Sequence, residues 1–471
     1  MKKASNWFVA ITMLSNLSLN AQVQIGGDIN GEAPNDGSGI SISMPDAYTV
    51  AIGANGNDGN GNRSGHVRVY MWNGTAWVQK GMDIDGESAE DWSGWSVSMP
   101  DANTVAVGAK SNDGVGNLAG HVRVYTWNST FWVQKGVDID GKAANDWAGN
   151  SVSMPDANTV AIGAPNNGGG YVSVYNWSGA AWVQKGADIN GEAVSDESGY
   201  SVSMPDANTV AIGARSNDGS TLFTGHVRVF TWSGNSWVQK GLDIDGEAAY
   251  DNSGMSVSMP DANTVAIGAP YNNNNGNSSG HVRVYMWSGT AWVQKGIDID
   301  GESAEDWSGW SVSMPDANTV AIGALGGTGQ VKVYSWSVTG WVQKGLDIDA
   351  LTVNDGGGYS VSMPDANTLA IGRRINAGRV RIYSLSNIGI TEIGLGAFLK
   401  LYPNPASSTL YIEVGSESFN EEYSIYDAIG RKVLSGTLNS KLTTVDIGTL
   451  EAGVYTFSDG TNIQQKFILN F

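Results

Sequence analysis

The chain has 471 residues, more than one ordinary domain, with no cysteine and a formal charge of −20. Disulfides, thiolate metal sites and thiol nucleophiles are therefore excluded, and phosphate-rich partners such as nucleic acid are repelled. A hydrophobic share of 41%, with 18 Trp and 17 Tyr, rules out a disordered chain. The 63 Gly against 12 Pro, with no Gly-X-Y period, point to tight turns in an all-β fold.

Residues 1–21 read as a signal peptide: Lys2 and Lys3, an apolar stretch from Trp7 to Leu19, and a cleavage point after Ala21. No other run approaches the ~18 apolar residues that span a bilayer, so no transmembrane segment is predicted.

Residues 22–387 are a repeat array. Met-Pro-Asp-Ala recurs at Met44, Met99, Met154, Met204, Met259, Met314 and Met363, spaced 55, 55, 50, 55, 55 and 49 residues apart. The shorter spacings come from one loop, which is abbreviated after Ala164 and Ala324. The second copy shows four short alternating stretches, Ser96–Met99, Thr104–Val107, His121–Tyr125 and Trp132–Lys135. Pro100-Asp101-Ala102-Asn103 between the first two reads as a hairpin turn, with Pro setting φ. Four strands per unit of about 50 residues are the dimensions of a propeller blade.

The seventh repeat stops after Arg379-Val380-Arg381-Ile382-Tyr383 and lacks its Trp-Val-Gln-Lys strand. The missing text stands at the other end, where Val23-Gln24 and Asp28-Ile29-Asn30-Gly31 align with Val78-Gln79 and Asp83-Ile84-Asp85-Gly86. A donated N-terminal strand is thus predicted to close a seven-bladed ring, which removes the open sheet edge of a linear array. The paired Trp residues that run from Trp72 and Trp77 to Trp336 and Trp341 are assigned to packing, as is the repeated Met. A linker over 388–398 then leads to short alternating stretches with Gly turns in 399–471, enough for a small β-sandwich.

On these motifs the blades resemble FG-GAP repeats of integrin-like and bacterial surface propellers over residues 22–387. Ser93-Gly94-Trp95-Ser96-Val97 stands where that family has Phe-Gly and a strand, and Gly163-Ala164-Pro165 and Gly268-Ala269-Pro270 match its Gly-Ala-Pro element. The family's calcium loop is reduced here to Pro-Asp-Ala-Asn. Residues 399–471 resemble the type A sorting domain of the type IX secretion system of Bacteroidetes-type bacteria. The matching text is Leu401-Tyr402-Pro403-Asn404-Pro405-Ala406, Tyr426-Asp427-Ala428-Ile429-Gly430-Arg431 and Leu450-Glu451-Ala452-Gly453-Val454-Tyr455. That resemblance implies handling by the type IX machinery, then cleavage, with the product attached to the outer-membrane surface or released.

Strand order puts two long loops on one face: the Asn/Gly-rich connection, Ser111 to Gly120 for example, and the acidic connection after the fourth strand. The acidic connection offers oxygen ligands at short spacing, so Asp83, Asp85, Glu87 and Asp91, with Asp298, Asp300, Glu302 and Asp306, are candidate Ca2+ ligands. Trp92, Trp95, Trp147, Trp307 and Trp310 lie beside that face and vary between blades, which makes them candidate ligand-binding residues for a glycan or a protein. His66, His121, His226 and His281 recur at one strand position and are expected to face solvent, with no unique nucleophile beside them. Residues 83–109 and 298–324 differ only at Val107 and Ile322, and almost no residue asymmetry is predicted around the channel. The expected protein is a non-enzymatic surface binding or adhesion module. The alternative is an extracellular polysaccharide hydrolase on the same scaffold.

Overall fold

A computed structural model describes residues 22–219, 221–327, 329–338, 340–349 and 356–386. In the C-terminal region it describes 399–402, 406–414, 421–427, 431–438, 440, 442–458 and 464–469. The expected signal peptide and linker lie outside the described residues. The chain divides into two compact units, Met1–Asn387 and Ile388–Phe471.

The first unit consists of seven like sheets. In the first of them, β3 (Ser41–Asp46), β4 (Thr49–Ala54), β5 (His66–Trp72) and β6 (Trp77–Gln79) pair antiparallel in chain order, and β7 (Ile84–Asp85) adds to β5 beyond β6. The β7 segment opens the acidic connection that the sequence predicts to be loop throughout. The hairpin also differs from expectation. Pro100 lies inside the strand Ser96–Asp101 at a register shift, and the turn is the two-residue Ala102-Asn103, held by the Asn103 N–H donating to Asp101 Oδ1 at 2.7 Å. Asp, not Pro, shapes this turn, because its carboxylate reaches the backbone two residues on.

Alternation in β5 sends Val67 and Val69 to one buried face and His66 and Arg68 to the other, and β4, also buried on both faces, reads as a continuous small apolar run. The blades then pack face to face, and the core lies between them. One cluster joins Ala106, Val122 and Val124 of the second blade to Val152, Met154, Val160 and Ile162 of the third. The approach is close enough to require glycine: a Cβ on Gly108 would lie 2.2 Å from the Gly149 carbonyl oxygen.

The ring closes as predicted. The last blade has three strands of its own, Ser360–Asp365, Thr368–Arg373 and Arg379–Ser384, and is completed by β1 (Val23–Gln24) and β2 (Ile29–Asn30). Val23 pairs with Ser384, Gln24 with Tyr383, Ile29 with Val380 and Asn30 with Arg379. Asp28 accepts two bonds from Arg381, Nε at 2.7 Å and an Nη at 2.8 Å, so a bidentate ion pair reinforces the latch. Around the inner strands the N–H of each repeated Met donates to a Ser hydroxyl of the preceding blade, from Met99 to Ser43 through Met363 to Ser313, and Met44 to Ser362 completes the circuit. On the outside, Trp132 Nε1 donates to the Lys80 carbonyl of the previous blade at 2.8 Å, while the Lys80 ammonium lies 5.2 and 5.3 Å from the Trp127 and Trp132 rings. The Trp pairs are inter-blade brackets.

The second unit has a three-stranded sheet (Leu399–Tyr402, Thr409–Val414, Leu442–Asp446) and a four-stranded one (Glu421–Tyr426, Lys432–Leu438, Gly453–Ser458, Gln464–Leu469). They share a core of Leu410, Ile412, Ile425, Val445, Tyr455, Phe457 and Leu469. Among the described residues no helix is long and apolar enough to cross a membrane.

Candidate functional site

The two long loops share a face and hold each other. The Gly86 N–H donates to the Gly65 carbonyl at 2.8 Å, the Glu90 N–H to Asn62 at 2.8 Å, and Asn60 Nδ2 to the Gly86 and Glu87 carbonyls at 2.9 and 3.0 Å. On this face each innermost strand begins and each second strand ends. The residues that open the innermost strands are Ile40, Trp95, Asn150, Tyr200, Met255, Trp310 and Tyr359, and with the Ser and Val that follow they line one cavity of about 240 Å³ contributed by all seven blades. This is the central channel.

Three residues earlier, at the entrance, the chain bends through a left-handed conformation in every blade. Gly37 and Gly356 adopt φ of 65° and 66°, but the other five positions carry side chains, with Trp92 and Trp147 at 56°, Trp307 at 54°, Glu197 at 57° and Asn252 at 54°. Such a conformation costs a bulky residue ~1–3 kcal/mol and is tolerated where neighbours enforce it. The third ring of positions, just past the second strand, holds Asn55, Lys110, Pro165, Arg215, Pro270, Leu325 and Arg374.

These three positions bring the sequence-predicted Trp residues together in two groups. Trp92 and Trp95 stack with centroids 5.7 Å apart, and Lys110 Nζ lies 3.2 Å from the Trp95 centroid, 4.9 Å from Trp147 and 5.5 Å from Trp92. Trp307 and Trp310 stack at 6.0 Å, flanked by Tyr271 at 6.0 Å and Tyr359 at 5.8 Å. Arg215 lies 3.7 Å over Tyr200 and is ion-paired to Glu197 at 2.5 Å, and Arg374 lies 5.4 Å over Tyr359. Lys110 is 8% exposed. Burial first, then the charges of Arg215 and Arg374, push its pKa down to about 7 against an opposing pull from Glu197.

The mouth is therefore asymmetric, where the sequence predicts almost no asymmetry. Lys110, Arg215 and Arg374 were missed because each stands alone in its blade; aligning the repeats and asking which columns vary beside constant neighbours would have found them.

The candidate calcium acids do not gather. Asp91 is buried and caps its own turn, accepting the Ser88 N–H at 2.8 Å, and Asp306 does the same for Ser303. Asp85 and Asp300 lie in the short fifth strands, paired with His66 and His281, and burial raises the carboxyl pKa of both. Asp83 and Asp298 accept the Gln79 and Gln294 amides at 2.6 Å. Glu87 reaches the next blade, 3.4 Å from Arg123, and Glu302 pairs with Lys332 at 2.5 Å. Calcium takes 6–8 oxygens, and among the described residues no connection turns its carboxylates toward one point.

What does converge is a carboxylate–histidine group across blade boundaries: Glu32, His66 and Asp83; Glu87, His121 and Asp138; Glu192, His226 and Asp243; Glu247, His281 and Asp298. The expectation that these histidines face solvent is wrong. All four are at most 1% exposed, because the fifth strand covers their strand and a Glu from the preceding blade closes over it. Burial, with the adjacent Arg123 or Arg283, lowers His121 and His281 to about 4, so each is a neutral imidazole at neutral pH.

Residues 400–470 match the family described as the secretion system C-terminal sorting domain, and residues 239–285 match the FG-GAP repeat. The chain carries FG-GAP propeller repeats and a type IX sorting domain. The sorting domain makes it a secreted or cell-surface protein. No curated protein matches it in sequence. Among solved structures, Raptor of Chaetomium thermophilum is similar at 12% identity and a TM-score of 0.50, over 77% of this chain and 29% of that one. Hydrazine synthase of Kuenenia stuttgartiensis is similar at 14% identity and 0.47, over 75% and 95%. A putative 6-phosphogluconolactonase from Bacteroides uniformis is similar at 10% and 0.49, over 67% and 87%. At such identities the likeness concerns the fold alone.

Proposed function

We propose that this exported propeller is a non-catalytic binding or adhesion module that takes an extracellular protein or glycan at the channel mouth on its long-loop face. The observation that carries the reading is where the blades differ. Met-Pro-Asp-Ala is kept in all seven repeats at the opposite end, whereas the columns of Trp92, Trp95 and Lys110 change from blade to blade at this one. The outer turns at that opposite end also vary, Asn73–Ala76 against Asn128–Phe131 for example, so it is along the channel itself that the variation is confined to one end. Variation gathered around one concave, aromatic opening is what recognition requires.

A hydrolase needs a distinct acid and base, and the buried carboxylate–histidine groups recur with the repeat, away from the mouth. Binding of the mature protein to host-surface and polysaccharide panels, beside Trp95→Ala and Trp310→Ala variants, tests the reading. Capture that both variants retain in full refutes a site at the mouth.

A further inference from the structure

Every other lysine described in the propeller meets an oxygen partner, Lys142 at Asp188 and Lys332 at Glu302 included, and Lys110 does not. Lys80, Lys135, Lys185, Lys240, Lys295 and Lys344 each donate to a backbone carbonyl and an Asn side-chain oxygen of the next blade, at 2.5–2.9 Å. Lys80 and Lys295, at 9% exposed, are as buried as Lys110 at 8%, so burial alone does not prevent pairing. Lys110 has three indole faces and, among the described residues, no hydrogen-bond acceptor or carboxylate. A cation–π contact recovers only part of what an ammonium loses on leaving water. The charges nearest it make matters worse: Arg215 and Arg374 repel it, and Glu197, which attracts it, is already bonded to Arg215. Three cations and one carboxylate thus meet at the opening of a chain whose net charge is −20.

We infer that the channel mouth binds an acidic sugar, with a carboxylate or sulfate seated against Lys110 and the sugar ring laid on the adjoining indoles. An acidic sugar carries its anion on the edge of a ring whose face is C–H, so anion and apolar face lie within a few ångströms of each other, as ammonium and indole do here. Beside the mouth a cavity of about 440 Å³ continues the path, walled by Trp92 and Arg374 and lined by Asn55, Asn62 and Arg63. Its carboxylate, Asp58, accepts the Arg63 backbone N–H through Oδ1 at 2.8 Å. Amides, a guanidinium and an indole in one cleft recognise hydroxyls and a ring face together.

The inference rests on the binding reading above and names its ligand class. The test is calorimetry on the mature protein with oligogalacturonate, its neutral methyl ester, a sulfated oligosaccharide and oligoglutamate. Wild type is compared with Lys110→Met, Arg374→Gln and Trp92→Ala, each checked for a single cooperative unfolding transition with the wild-type denaturant slope. The expected result is that one or both acidic sugars bind at least tenfold more tightly than the neutral ester, and the uronate and sulfate arms say which anion is preferred. Lys110→Met loses that margin without weakening the ester, and Trp92→Ala weakens both. Equal binding of acid and ester, or an acid preference that survives Lys110→Met, overturns the inference. So does oligoglutamate binding as tightly as the sugars with indifference to Trp92→Ala. If no sugar binds while a captured protein ligand is lost in Trp95→Ala, the sugar assignment fails and the binding reading stands; if the mouth variants change nothing, both fail.

Discussion

Replacing Asp28 by Asn tests the latch without disturbing its shape. Asp28 is the only side chain of the N-terminal segment that ion-pairs with the last blade among the described residues, meeting Arg381 at 2.7 and 2.8 Å and Arg379 at 3.5 Å. A net hydrogen bond to a charged group contributes ~1.5–3 kcal/mol, an exposed pair at most ~1, and a broken buried pair costs ~3–5. Arg381 is 11% exposed and Asp28 is 24% exposed, which places this pair between the limits, so Asp28→Asn should cost about 2 kcal/mol at pH 7. Urea denaturation of the mature protein, followed by Trp fluorescence, reads this as a lower midpoint at constant slope. The Arg381 bonds hold the Asp28 carboxyl below its usual range. The contribution is therefore present above the unfolded value of about 3.9 and is lost as pH falls through the lower folded value, so wild type and variant should converge on acidification. A double variant with Arg381→Met should cost clearly less than the two single changes combined. An unchanged midpoint for Asp28→Asn, or strictly additive effects, would refute the latch as an energetic element.

Lys110→Met should stabilise the protein at pH 7, because it removes an ammonium largely withdrawn from water with no acceptor among the described residues. The folded pKa of about 7 lies below the unfolded value of about 10.4, so wild-type stability should rise between those pH values. Denaturation midpoints at pH 6.5 and 9 should differ in wild type and draw together in the variant. His121→Gln should flatten the loss of stability between pH 6.5 and 4, since an imidazole whose folded value is lowered to about 4 supports the fold only while it stays neutral; midpoints across that range check it. EDTA or millimolar calcium should leave thermal unfolding unchanged, because Asp83, Glu87 and Asp91 are engaged in separate contacts. A rise of several degrees with calcium would contradict this.

The architecture was legible because it is written repeatedly. Copies of Met-Pro-Asp-Ala, alternating Val residues and the displaced Val-Gln and Asp-Ile-Asn text each follow from strand period and edge satisfaction. The Trp cluster was legible as a position but not as a geometry. What failed were inferences that needed the third dimension. His66 and its copies alternate like outward-facing residues, yet the fifth strand and the neighbouring blade's Glu32 bury them, and no local pattern announces a cover supplied by another repeat. Asp83, Asp85 and Glu87 are close in sequence, but each is engaged by a different partner: Gln79, the His66 strand and Arg123 of the next blade. Lys110 reads as an ordinary surface lysine, because its neighbours Trp95 and Trp147 come from different repeats.

The seven-membered donor–acceptor circuit makes every blade junction chemically alike, and that has a price during folding. Segment 22–31 is synthesised first and used last, so for most of that interval it sees sheets whose exposed third strands offer nearly the same apolar text as its true partner. Shape cannot tell them apart. The final repeat differs by offering arginine at 379, where four others present histidine, and keeps their arginine at 381. Correct termination of the ring therefore leans on the charge at 379, and Arg379→His should yield rings closed out of order, or chains that close on one another.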